Sequence, residues 1–199
     1  LTIVSPAVGL AIIDSHDVRV ESVEISQANG AGIYVGGDAG AFFGNMWIHD
    51  SATSENSNWM KGFGACLEGQ SKTTWETVVM ERNRGAGLYI RDNASAIMAD
   101  SEIRTTTVLE GESMGFGVLV SDDSEASFLR TTFKDNESSQ AVVAGGYLFC
   151  EECLLQGKGA AEDESSDVGL LVGKGGRAEL LKSMVDAATT SGVVAGQPQ

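Results

Sequence analysis

Seven times along this chain a small residue stands three positions before an aliphatic anchor, and a second apolar residue follows thirteen positions after it. The anchors read as Ile12, Val35, Leu67, Ile90, Val120, Val142 and Val172, and their partners as Ile25, Ile48, Met80, Ile103, Phe133, Leu155 and Val185. The leading residue is glycine in six cases (Gly9, Gly32, Gly64, Gly87, Gly117, Gly169), with Ser139 the exception. Self-similarity on a fixed period means a solenoid, in which each coil buries its apolar face only against its neighbours.

The interior of the coil follows from its apolar steps. Positions −2 and 0 from the anchor are apolar in nearly every coil (Leu10/Ile12, Ile33/Val35, Leu88/Ile90), the period-two signal of a short strand with one buried face. A polar or glycine-rich turn comes next, as in Gly36-Gly37-Asp38 or Arg91-Asp92-Asn93. Positions +6 and +8 give a second inward pair, small then large, as in Ala41/Phe43 and Ala126/Phe128. Position +10 is polar throughout (Ser22, Asn45, Thr77, Asp100, Arg130, Glu152, Lys182), which marks a bend, and +11 and +13 supply a third inward pair. The apolar steps of two exclude a helical period of 3.6. The expectation is an all-β, right-handed parallel β-helix of about seven to eight coils, with three short strands per coil, forming a single domain over 1–199.

On that coil pattern the chain resembles the pectin-lyase-like superfamily of right-handed β-helices along essentially its whole length. The superfamily includes polysaccharide lyases, glycoside hydrolases, uronate epimerases, phage tailspikes and surface proteins. The resemblance implies that a polysaccharide substrate would lie along an exterior sheet face. Asp122-Asp123 is similar to the double aspartate of polygalacturonases, but the Asn-Thr-Asp, Gly-His-Gly and Arg-Ile-Lys runs of that family are absent. Asp122-Asp123 also falls in the first turn of its coil, where aspartate is an ordinary turn former. Lyases of this fold use a basic residue beside calcium-binding acids, for which Arg91 next to Asp92 is the one match. The Asp-Pro-His run of alginate epimerases is missing.

Coil lengths alternate. The anchors are 23, 32, 23, 30, 22 and 30 residues apart, so the repeating unit is a pair of coils with an insertion after the third strand of every second one. The insertions run over 50–63, 105–116 and 157–168 and should project from one side, about 10 Å apart, two rungs of a sheet. Trp59, Met60, Met114 and Phe116 mark the first two, either as side chains folded back onto the sheet or as a ridge that meets a partner. The third carries Glu162, Asp163, Glu164 and Asp167, which read as a solvated acidic loop or as oxygen ligands for calcium. Its lack of regular Asp spacing favours the former, so no cofactor is expected.

The outward position −1 reads Ala11, Tyr34, Cys66, Tyr89, Leu119, Ala141, Leu171, an apolar stripe where polar residues are usual. Tyr34, Tyr89 and Arg91 on this face are the candidate binding residues, since sugar rings stack on aromatic side chains. The alternative is that the stripe packs beneath a loop. His16 and His49 occupy different coil positions and read as surface residues. Cys150 and Cys153, at +8 and +11, both point inward across the second bend, as a disulfide or as two buried thiols.

A formal net charge of −15 argues against nucleic acid as a partner, and no apolar stretch is long enough to insert in a membrane. Leu1-Thr2-Ile3 falls at +11 to +13 of a preceding coil and Gly192 opens a further one, so continuation into a longer solenoid, or end-to-end stacking, is expected. Together these features predict a non-catalytic extracellular or cell-surface scaffold, adhesin-like, whose partner is a polysaccharide or another protein. The alternative is a carbohydrate-binding or polysaccharide-degrading β-helix with substrate on the outer face of the first sheet.

Overall fold

The structure is a computed structural model that describes residues 1–4, 7–53, 61–108, 114–158, 168–186 and 191–196. Among these residues all regular structure is β, in strands numbered β1 to β21 in chain order. The first strands of successive coils, β2 (Val8–Ile13), β5 (Ala31–Gly36), β7 (Phe63–Leu67), β9 (Gly85–Ile90), β12 (Gly115–Ser121), β15 (Ser139–Ala144), β18 (Val168–Val172) and β21 (Ser191–Ala195), form one parallel eight-stranded sheet in that order. The second and third strands form a bent thirteen-stranded sheet, also parallel. Each coil therefore climbs one rung, as a right-handed β-helix requires.

The first sheet aligns Ile12, Val35, Leu67, Ile90, Val120, Val143, Val172 and Ala195. Val143, not Val142, is thus the anchor of the sixth coil, and Val142 rather than Ala141 occupies the outward position. The reason is local. Only four residues separate Val143 from Leu148, whereas five separate the equivalent Val120 and Ala126. Gly145, at φ 83°, makes that tighter turn. The residue leading the anchor by three is consequently Gln140, not Ser139.

In five coils the leading glycine (Gly9, Gly32, Gly64, Gly87, Gly117) is required by space. A Cβ on Gly87 would fall 2.2 Å from Ile103 Cγ2 and 2.8 Å from the Gly117 carbonyl oxygen; on Gly32 it would meet Ile48 Cγ2 at 2.5 Å and Gly64 O at 2.6 Å. The chain here turns inward against its own third strand and the coil above. Where Gln140 replaces glycine, its amide is spent inside: Oε1 accepts from Asn136 Nδ2 (2.8 Å) and Nε2 donates to the Asn136 carbonyl (3.0 Å).

The second bend is one residue long in every coil. Ser22, Asn45, Thr77, Asp100, Arg130, Glu152 and Lys182 all adopt left-handed backbone, with φ between 47° and 56°. A single such residue redirects the chain without unpairing its neighbours. In two coils the second and third strands therefore run on as ten-residue strands, β6 (Gly40–His49) and β8 (Lys72–Glu81), instead of two short ones. Elsewhere they remain separate, as in β10 (Ser95–Ala99) and β11 (Glu102–Arg104). β1 (Thr2–Val4) pairs Ile3 with Ile25 of β4 (Glu24–Ser26), in the register expected of a preceding coil's third strand.

The interior is packed in vertical stacks. Phe43 and Trp75, at +8 in adjacent coils, stack at 4.1 Å, and Phe128 meets Phe133 edge-on at 4.9 Å. The buried Trp75 indole N–H finds the Thr73 hydroxyl at 2.8 Å. At +16 the inward residues of four successive coils alternate, Asn83 and Asn136 in short coils and Ser51 and Thr106 in long ones, while the first short coil carries Ala28. Asn83 Oδ1 accepts from the Ser51 amide (3.1 Å), and Asn136 Oδ1 from the Thr106 amide (3.0 Å). Each asparagine thus holds the backbone where an insertion leaves the neighbouring coil. The hydroxyls of Ser51, Ser71, Thr106 and Ser124 are buried without a hydrogen-bond partner among the described residues. They too recur every second coil.

Candidate functional site

The outward stripe of the first sheet and the residue just past its anchors form the first candidate. Tyr34, Cys66 and Tyr89 occupy three consecutive rungs. Glu68 and Arg91 sit one residue past the anchors Leu67 and Ile90, also on adjacent rungs. The Tyr34 hydroxyl donates to Glu68 Oε1, and Arg91 donates to Glu68 Oε2 from Nη2 (2.5 Å) and Nε (3.1 Å). Arg91 also lies 3.5 Å from Asp92 and, at 5.6 Å, over the Tyr89 ring. The structure therefore gathers Tyr34, Tyr89 and Arg91 as the sequence suggested and adds Glu68, whose charge opposite Arg91 at the same coil position was the available signal.

The face is partly roofed. Phe63 is buried and meets the Tyr89 ring edge-on at 5.3 Å, while Met114 packs against the cluster of Ala31, Phe63, Cys66 and Ala86. Met114 thus folds back onto the sheet; Phe116 lies half-buried in β12, paired with Ala86 and Ser139. Trp59 and Met60, like Glu162, Asp163, Glu164 and Asp167, lie outside the described residues.

The electrostatics lock the groups rather than activate them. Burial, and then the bond to Glu68, push the Tyr34 hydroxyl above its ordinary value, so it stays protonated. Burial opposes the Arg91 charge, but Glu68 more than offsets it and Arg91 is held more firmly cationic than usual. Burial pushes the Cys66 thiol up to about 12 against the pull of Arg91, so it is no nucleophile at neutral pH.

A second polar cluster covers the third strands, and it corrects the reading of His49 as a surface residue. His49 is only 8 % exposed because the Trp47 ring lies over it, 4.0 Å between centroids. His49 Nδ1 faces Asp50 Oδ2 at 2.5 Å and Nε2 faces Glu24 Oε1 at 3.2 Å. Arg82 grips Asp50 through Nε and Nη2 (both 2.9 Å) and also reaches Glu81; Arg104 reaches Glu81 at 2.7 Å. Hydrogen bonding from Arg82, against some burial, holds Asp50 below the usual carboxylate range. His16 stays exposed, in an open groove with Arg19, Phe42 and Lys72 over the second strands.

Asp122 and Asp123 form a two-residue left-handed turn (φ 53° and 58°), equivalent to Asp92-Asn93, and the Ser121 hydroxyl donates to Asp122 at 2.8 Å. All three cysteines are free. Cys150 and Cys153 are buried thiols; Cys153 Sγ donates to Phe128 O (3.5 Å) and Glu151 O (3.4 Å), and the neighbouring Cys153 together with burial raises the Cys150 thiol above its ordinary range. Among the described residues no three His, Cys, Asp or Glu side chains converge to hold a metal ion.

A family model described as the right handed beta helix region matches residues 1–156. The chain belongs to the right-handed β-helix family. No curated protein matches it. For this β-helix, as for others of the family, membership gives the architecture on which the two clusters stand.

Proposed function

We infer that this β-helix is a non-catalytic scaffold working outside the cell or at its surface, a rigid acidic rod that presents its outer faces to partners. The observation that carries this reading is the closed set Tyr34–Glu68–Arg91. The side chains best placed to act on a substrate are spent on one another, and Tyr34 and Cys66 are held protonated. The net charge of −15 supports a well-solvated surface. The test is to incubate the full chain with uronate and neutral polysaccharides, with and without calcium. Release of unsaturated or reducing ends would overturn the reading; unchanged polymer and a calcium-independent melting temperature are expected. Protease shaving of intact producing cells tests the location.

One observation favours a second reading, carbohydrate binding without turnover. Tyr34 and Tyr89 are partly buried but retain some exposure, and they lie two rungs apart, roughly 10 Å, a spacing that two rings along a glycan can match. A glycan array with Tyr89→Ala as the comparison decides it: signal lost in the variant supports this reading, and no signal in either removes it.

A further inference from the structure

Three outward aromatic rings of this chain carry one of its own guanidinium groups. Arg19 lies 4.1 Å from the Phe42 centroid, Arg91 5.6 Å from Tyr89 and Arg177 5.4 Å from Tyr147. Trp47, the ring type that attracts a cation most strongly, has none among the described residues. It is nevertheless fixed in place. One face stacks on His49 at 4.0 Å, and the indole Nε1–H donates to Glu81 Oε1 at 3.0 Å. Glu81 is itself buried and clamped by Arg82 and Arg104. A ring held at its edge and on one face, yet still 40 % exposed, offers its remaining surface as a platform that needs no reordering on binding.

That surface walls a groove of about 490 Å³ along the second bend, whose other walls include Thr2, Ser22, Glu24, Asn45 and Thr77. Glu24 is the one charged side chain lining it and sits directly beside Trp47 as its register partner. Its carboxylate is fixed from two sides, by the Thr2 hydroxyl at 3.0 Å and by His49 at 3.2 Å. The remaining lining combines hydroxyl and amide groups with apolar chain from Leu1, Val23, Met46 and Val79. An indole face, one fixed carboxylate and neutral acceptors together match a weakly hydrated cation.

We propose that the Trp47–Glu24 groove is a binding site for an organic ammonium group. The aromatic platform takes the alkyl-substituted cation, and Glu24 supplies the opposing charge. The overall charge of −15 enriches such ligands near the surface. The groove lies over the second and third strands, away from the Tyr34–Glu68–Arg91 face, so the inference stands independently of the scaffold reading.

The experiment is a titration of the ¹⁵N-labelled full chain with tetramethylammonium, following the indole N–H signals. A saturable shift confined to Trp47, with a millimolar dissociation constant, is expected, since one aromatic contact supplies only modest affinity. Sodium chloride at matched ionic strength should leave the signal in place. Trp47→Ala should abolish binding. Glu24→Gln leaves the ring and its anchors intact and should weaken binding about fivefold or more, a fall read separately from folding. Tert-butanol, a neutral analogue of similar shape, shifting Trp47 equally well would overturn the proposal in favour of a simple apolar trough. Methyl glucoside binding more tightly than the ammonium would overturn it in favour of a saccharide site. No shift at about 0.1 M tetramethylammonium, tenfold or more above a millimolar dissociation constant, would also overturn it.

Discussion

Gly87→Ala adds one methyl group where the structure leaves no room for it. The new Cβ would sit 2.2 Å from Ile103 Cγ2, 2.8 Å from the Gly117 carbonyl oxygen and 3.3 Å from Thr106 Oγ1. Unstrained carbon contacts lie near 3.5–4.0 Å, so the nearest must open by more than 1 Å. Ile103 is fully buried, and Gly117 O belongs to the backbone of the next rung; neither is a flexible tip. Overpacking of a close-packed core costs about 1–3 kcal/mol, and a site hemmed by backbone belongs at the upper end. About 3 kcal/mol, with a urea slope of about 2.5 kcal/mol/M for a chain of this size, lowers the unfolding midpoint by roughly 1 M. Gly192 provides the control. It holds the same coil position, but its nearest neighbour, Val185 Cγ1, is 3.9 Å away. Gly192→Ala should be neutral or raise stability by a few tenths of a kcal/mol, because alanine restricts the unfolded chain. Both variants are followed by urea titration of tryptophan fluorescence and circular dichroism. Equal midpoint shifts, or none for Gly87→Ala, would refute steric exclusion as the reason for the glycine column.

Asn136→Ala removes the acceptor for the buried Thr106 amide and the donor to Ile103 O (3.1 Å), and should cost about 2–4 kcal/mol, with faster hydrogen exchange at Thr106. Asp50 is depressed chiefly by Arg82, so this pair stabilises the fold above the ordinary aspartate range, and the contribution disappears as pH falls through the lowered folded value. Arg82→Gln should therefore melt below the parent at pH 7, with the gap narrowing as the pH falls through and below the ordinary aspartate range. Thr77 is a β-branched residue at φ 56°, so Thr77→Asn should stabilise by about 1 kcal/mol, measured by the same urea titration. Cys66, Cys150 and Cys153 are all buried, and a thiol reagent at pH 8 should label none of them quickly in the native chain and all three in urea.

Much of the coil was legible because its chemistry repeats. Inward pairs at −2/0 and +6/+8, a polar +10 and an Ile3 waiting for Ile25 follow from alternation and period alone. The slip from Val143 to Val142 came from a shortened turn, since Gly145-Gly146 removes a residue that counting back from Leu155 assumes. The fusion of strands in β6 and β8 was hidden because the +10 residue marks a bend, and one left-handed residue bends a strand without ending it. At the candidate site, Tyr34, Tyr89 and Arg91 could be chosen by outward position, but Glu68 needed comparison across rungs. His49 was misread for a related reason. Its burial comes from Trp47, two residues away on the same outward face, and coil position alone does not show a ring lying flat.

The alternation at +16 over four successive coils, Ser51, Asn83, Thr106 and Asn136, makes this stretch of the rod two-lettered along its axis. Loss of the single coil 68–90 would set Ser51 against Thr106 and leave the Ser51 amide without its Asn83 acceptor. Two coils, 53 residues from Leu67 to Val120, restore the sequence of letters. Growth and shrinkage of this solenoid should therefore proceed in even numbers of coils. Its length is counted in pairs, and a recombinant lacking residues 68–120 should refold as a shorter version of the same rod, where one lacking 68–90 should not.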